Sequence, residues 1–345
     1  MSVAADKRPW FLVGPIYDWV FFLLPPVFCL GLGIAISGTD FSDRSFKVAG
    51  NETTLAGLLL GVIVHAHLVA VFFRSHGNPS IFRSHPIRFV VIPLALWVGL
   101  VASSWLAVAA TVTATFWDVW HSGAQTFGFA RIYDRNAGAS TEEGRRLDFW
   151  FNQLLYAGPI LAGATLMDHL EDFENFEKVG SYFFAAVPAR VEGWQRNLTL
   201  AVLIGGTLFL AYYVVAAVRR HRRGYPLSLP KIFLVVSTGL CSIITWGFNS
   251  WGEAFFIMNL FHALQYLALM WATEGKRIGK SLGFAEMRGG KGLAMALFLI
   301  PLLLYGFAAE VVSENIDVLW TLTIVVSLMH FWYDGFIWSV REEAV

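Results

Sequence analysis

Five of the nine histidines in this 345-residue chain, His65, His67, His121, His262 and His330, lie in apolar sequence rather than in charged loops. Polar groups accompany them at helical spacing. Asp118 stands three residues before His121 and Gln125 four after it. Asn259 stands three before His262, and Gln265 and Tyr266 three and four after it. Asp334 follows His330 by four. On a helix such spacings put each set broadly on one face. Neutral imidazole is a common ligand of iron, copper and zinc. A carboxylate one turn away either binds the ion itself or holds the second ring nitrogen and so fixes the tautomer. The pattern therefore reads as a histidine metal site. Its candidate ligands are His65, His67, His121, His262 and His330. Asp118, Asp334 and Tyr266 are the candidate catalytic groups, and Gln125, Gln265 and Asn259 shape the pocket for cofactor or substrate. His65 and His67 sit about 200° apart around a helix, so both cannot point inward without distortion, and His65 is favoured as the inward one. Cys29 and Cys241 lie in apolar runs without C-x-x-C spacing, so no thiolate site competes.

The elements that must carry these residues are membrane helices. Hydrophobic residues make up 56% of the chain and charged residues 14%, and the mean hydropathy is +0.57, all far from soluble averages. Segments near the roughly 20 residues needed to span predict ten helices at about 17–37, 55–74, 87–103, 105–131, 149–168, 198–218, 230–248, 251–273, 292–310 and 317–340. The N-terminal stretch has no clean cleavage site and reads as the first span rather than a signal peptide. With the N-terminus inside, the basic clusters around Lys7, Arg74, Arg131, Arg219 and Lys276, together with Arg341, all face the cytoplasm. Only Arg44, Lys47, Lys178, Arg190 and Arg196 remain outside, as the positive-inside rule requires. The expected fold is thus all-α: one polytopic bundle over residues 1–345, ten spans, both termini cytoplasmic, and no soluble domain. The stretch 181–194 predicts a short interfacial helix, and 219–231 a basic topology anchor.

In that topology the histidine-bearing helices all run from outside to inside. They bring their nearest imidazoles about 10–17 Å from the cytoplasmic helix ends, one layer near the middle of a hydrocarbon core about 30 Å thick. A lone polar residue in a membrane helix is often only interhelical glue worth about 0.6–2 kcal/mol. Four helices delivering histidine to one depth point instead to a functional cavity. The abundant aromatic residues, 30 Phe, 14 Trp and 10 Tyr, are mainly packing and interfacial belt, with an apolar tunnel for a long substrate as the alternative.

LFHALQYLALMW (260–271), WHSGAQTFGF (120–129) and MHFWYDGFIW (329–338) resemble the histidine-bearing helices of the Brp/Blh family, integral-membrane dioxygenases that cleave carotene to retinal with histidine-bound iron. The resemblance covers these short pieces together with HAH at 65–67, and a His-x-x-x-His helix of the family is matched here by His262 and Tyr266. It implies a chemistry class: a membrane-embedded, histidine-ligated non-haem iron oxygenase or related oxidoreductase. Such an enzyme acts on a hydrophobic, lipid- or isoprenoid-like substrate drawn from the bilayer, with an electron donor as a further partner where the chemistry requires one. Two alternatives stand beside it. One is a haem protein, or one binding another transition metal, using the same histidines. The other is a proton-coupled transporter with Asp18, Asp118, Glu253, Asp334 and the histidines as a relay. A net charge of zero leaves no global field for nucleic acid. The expected location is a bacterial inner membrane, in contact with its lipids.

Overall fold

The computed structural model describes residues 10–249, 252–284, 286–312 and 317–338. Lys7, Arg8, Arg341, the acidic stretch 313–316, residue 251 at the start of the eighth expected segment and 339–340 at the end of the tenth lie outside them. The described chain is almost wholly helical, with a single two-stranded hairpin, Phe46–Val48 against Asn51–Thr53. Helices occupy all ten segments: α1 (Pro15–Leu23) with α2 (Pro25–Ile36), α3 (Leu55–Ser75), α4 (Pro86–Ala102), α5 (Ser104–Asn136), α6 (Arg145–Ala162), α7 (Gln195–Arg222), α8 (Leu229–Phe248), α9 (Ala254–Ser281), α10 (Gly290–Val312) and α11 (Asp317–Ile337). Of these, α3, α7, α8, α9 and α10 are each long and apolar enough to cross a membrane, and α1 with α2 makes a sixth if that bent pair is one span. The polar residues of the candidate site lower the hydropathy of α5 and α11, which carry Asp118, His121, His330 and Asp334.

Breaks between helices follow local chemistry. Pro25 and Pro26 cannot donate to the preceding turn, and the chain bends by 48° between α1 and α2. The Phe22 carbonyl accepts from Gln265 Nε2 at 2.7 Å. Ser103 has an extended backbone and caps α5 through its hydroxyl, which accepts from Leu106 N. That cap separates α4 from α5 with no connector. The fifth segment ends earlier than expected, at Ala162 rather than 168. A side chain at Gly163 would meet Gly247 Cα at 2.4 Å, and Ala164 N donates across to Gly247 O at 2.9 Å. This close backbone approach to α8 stops the helix. Two short helices, Tyr182–Ala185 and Val187–Glu192, occupy the expected interfacial stretch.

No residue of α7 is buried, yet it exposes Leu203, Ile204, Leu208 and Tyr212. An apolar surface of this extent is stable against lipid and not against water. Buried charges concentrate at one end of the bundle. There Arg131 Nη1 and Lys231 Nζ each donate to both Asp134 and Asp148 at 2.6–2.8 Å, and Tyr213 donates to Asp148 at 2.9 Å. Burial, reinforced by the Asp134 carboxylate, pushes the Tyr225 phenol up to about 12. Tyr225 therefore stays a donor, here to Asp134. The cluster ties α5, α6, α7 and α8 together, and each carboxylate meets more than one donor, as buried ions require.

Candidate metal centre

Four of the five apolar-segment histidines converge. His67 on α3, His121 on α5, His262 on α9 and His330 on α11 are all buried. In the cyclic order 67, 262, 121, 330 their ring centroids are 5.2, 5.1, 4.8 and 5.0 Å apart, with successive planes 70–90° to one another. His67, His262 and His330 offer one nitrogen each within 4.8 Å of the others, and His121, His330 and Asp334 form a second such group.

The hydrogen bonds orient the rings. His330 Nδ1 faces the Leu68 carbonyl at 3.0 Å. A carbonyl only accepts, so Nδ1 carries the proton and the Nε2 lone pair points inward. His330 Nε2 lies 3.2 Å from His121 Nε2. Two nitrogens bound to one ion at about 2.0–2.1 Å in tetrahedral geometry stand about 3.3 Å apart. His67 and His262 have no partner for either ring nitrogen. Leaving a buried polar atom unpaired costs about 1–3 kcal/mol, and here the orphaned nitrogens border the same small space. The donor set is all imidazole with one carboxylate close by, which fits a transition metal and not a calcium-type oxygen cage.

Asp334 sits at the edge of the ring of histidines. Its Oδ1 accepts from Tyr266 OH and from Trp338 Nε1, both at 2.9 Å, and its Oδ2 stands 3.8 Å from His121 Nε2 and His330 Nε2. Tyr266 is buried and packs on His330, with centroids 4.5 Å apart.

His65 turns the other way, correcting the expectation that it faces inward. Its Nδ1 donates to Gly61 O at 2.9 Å and lies 3.4 Å from Glu310 on α10. The 200° separation puts His67 on the inner face, beside the buried Ala66 and Leu68. His65→Ala is therefore expected to leave metal content unchanged by elemental analysis. Three further residues, Gln265, Asp118 and Asn259, stand apart from the ring of imidazoles, while Gln125 lines the cavity beside it. Gln265 is a structural partner of the helix break at Phe22, and Gln125 Nε2 donates to Gln265 Oε1 and His262 O, each at 3.2 Å. This pair braces α9 against α1 and α5. Asp118 and Asn259 line a separate cavity of about 170 Å³, with Thr115, Ser122 and His169. His169 itself is buried against Trp246 and Phe255.

A larger cavity of about 730 Å³ opens onto His121 at the edge of the ring of imidazoles. It is lined by His121, Gln125, Tyr266 and Asp334, by the aromatic rings of Trp117, Trp120, Phe127, Phe149, Phe331 and Trp332, and by Gly128 and Gly335. A side chain built on either glycine meets nothing within 4 Å. Trp338 and Arg145, also on this cavity, carried no chemical signal in the sequence, the first lying in an apolar run and the second in a basic loop. No protein-family model matches the chain, and no curated protein or solved structure does.

Proposed function

We propose that this chain is a membrane-embedded, histidine-ligated non-haem iron oxygenase, or a closely related oxidoreductase, acting on a hydrophobic isoprenoid-like substrate that enters from the bilayer. The observation that carries the reading is the closed ring of four buried imidazoles with both nitrogens of His67 and of His262 unpartnered. His67, His121, His262 and His330 would hold the ion. When bound, iron supplies a redox-active centre able to engage dioxygen. The chain's own residues do the rest. The Leu68 carbonyl fixes the His330 tautomer. Tyr266 and Trp338 together hold Asp334 Oδ1, which leaves Oδ2 turned to the cavity as the atom that can take up or return a proton. The aromatic walls exclude bulk water and accept an apolar chain.

The same reading takes the ten helical segments as ten crossings with both termini in the cytoplasm, in the plasma membrane of a bacterium. Helix ends assigned to one side by their basic residues do meet in space. Arg131 reaches Lys231's carboxylate partners, and Arg74 pairs with Glu274 at 2.9 Å. Haem suits the arrangement less well, because four imidazoles whose neighbouring centroids stand 4.8–5.2 Å apart would leave little room among them for a macrocycle. A proton relay through Asp18 is equally disfavoured. Its oxygens accept from Leu12 N, Val13 N, Gly14 N and Tyr133 OH at 2.6–3.2 Å, so it anchors the backbone that leads into the first helix.

Elemental analysis and an absorption spectrum of the purified protein test the proposal. The expected result is about one iron per four-histidine site and no Soret band. Absence of stoichiometric transition metal, or a Soret band, would overturn it.

A further inference from the structure

The cavity at His121 follows α5 from Trp117 to Ile132, about 22 Å of helix axis at 1.5 Å per residue. Its two ends differ in chemistry. One end holds Asp334 and His121. The other holds two guanidinium groups, Arg131 and Arg145. Arg131 is neutralised by Asp134 and Asp148. Arg145 stands one turn before Asp148 on α6, half-buried, its guanidinium 5.5 Å from the Phe127 ring centroid. Among the described residues no carboxylate comes within 4.0 Å of it. An aromatic bore thus ends in a cation that lacks a counter-charge and has shed part of its water. Hydrogen bonds from such a group to an anion are about twice as strong as neutral ones.

We propose that the occupant of this cavity is a single-chain amphiphile with an anionic head, a carboxylate or a phosphate monoester. The head binds Arg145 and the chain lies along α5. Arg145 lies against Phe127, six residues from His121 along α5, so the part of the chain that meets His121 lies about 9 Å along the helix axis from the head. Chemistry would then fall in mid-chain and not at the head. The cavity volume of about 730 Å³ is within the usual span for ligand sites, about 300–1,000 Å³. A single cavity of this volume running beside one helix suits one chain better than the two of a membrane phospholipid. The mid-chain chemistry rests on the oxygenase reading; the binding mode does not.

The test is photolabelling of the full-length protein in neutral detergent. The probes are a long-chain fatty acid with a diazirine near the chain end, the alcohol of the same chain and its phosphate monoester, with labelled residues mapped by mass spectrometry. At least one anionic probe is expected to label α11 around Phe331–Gly335, and the alcohol about tenfold less. The acid and phosphate arms tell the two head chemistries apart. Arg145→Gln is expected to reduce anionic labelling about tenfold, with Arg145→Lys retaining most of it. Equal labelling by the alcohol, which requires no variant, or an undiminished signal in Arg145→Gln would overturn the proposal. The same labelling in chelator-treated protein separates this inference from the metal reading. Labelling that persists in a preparation never found to bind metal would sink the oxygenase assignment and leave the amphiphile standing.

Discussion

His262→Leu abolishes stoichiometric metal binding and, with it, turnover. That is the expected result of removing one of four imidazoles that share a small buried space. Substitution of groups merely supporting a metal ligand costs about 10–100-fold in affinity, so loss of a ligand should exceed about 100-fold. The sharper consequence concerns stability, and its sign depends on the ion. In the metal-loaded protein the variant is less stable, because bound ion no longer favours the folded state. In chelator the order reverses or closes. Both His262 nitrogens are then buried without partners, and a leucine removes that cost of about 1–3 kcal/mol per group. Thermal unfolding in detergent, with and without a chelator, reads both signs. A variant less stable than wild type by the same margin in both conditions would mean that His262 is ordinary packing, and the metal assignment would fall.

On the oxygenase reading, Gly128→Leu is expected to abolish turnover while metal binding stays intact. Gly128 lies on the wall of the large cavity, on α5 two turns beyond His121, and a Cβ placed there meets no protein atom within 4 Å. The new side chain therefore fills space meant for the occupant without forcing the bundle apart. Replacing a mid-helix glycine removes a destabilisation of about 0.5–1 kcal/mol, so folding should not suffer. A plug that denies the productive position removes about 10²-fold or more of the rate, as small misplacements of a reacting chain do. The measurements are oxidation of an isoprenoid that wild type consumes, photolabelling of α11 and metal content. Full activity in this variant would show that substrate does not travel through the cavity. Loss of metal would show that Gly128 serves the ion site and not the route to it.

The histidine helices were legible because a polar group inside apolar sequence has few places to go, and the 3.6-residue period puts its companions on one face. That reasoning located His121, His262 and His330 and linked Asp334 and Tyr266 to them. It favoured His65 over His67 and so picked the outward ring, since both faces of α3 meet helices and Glu310 offers His65 a partner from far along the chain. It also grouped Asp118 and Asn259 with the histidines, although two cavities flank α5 and positions three residues apart are wide enough in angle to open onto different ones. Gln265 misled for a different reason. Its partner is the Phe22 carbonyl, 243 residues away, and only the bend at the paired prolines frees that oxygen. The split between α4 and α5 at Ser103 has a recognisable cap, yet the apolar run continues across it and hides the joint.

The bond from His330 Nδ1 to the carbonyl of Leu68 fastens one imidazole to the residue that directly follows another, His67. Two of the four rings are therefore clamped in a common mould before any ion arrives, and the cradle cannot dilate far to suit its guest. On the metal reading, discrimination would then rest on bond length: cations content with about 2.0–2.2 Å would be admitted, while those demanding about 2.3–2.6 Å would be turned away however plentiful they are.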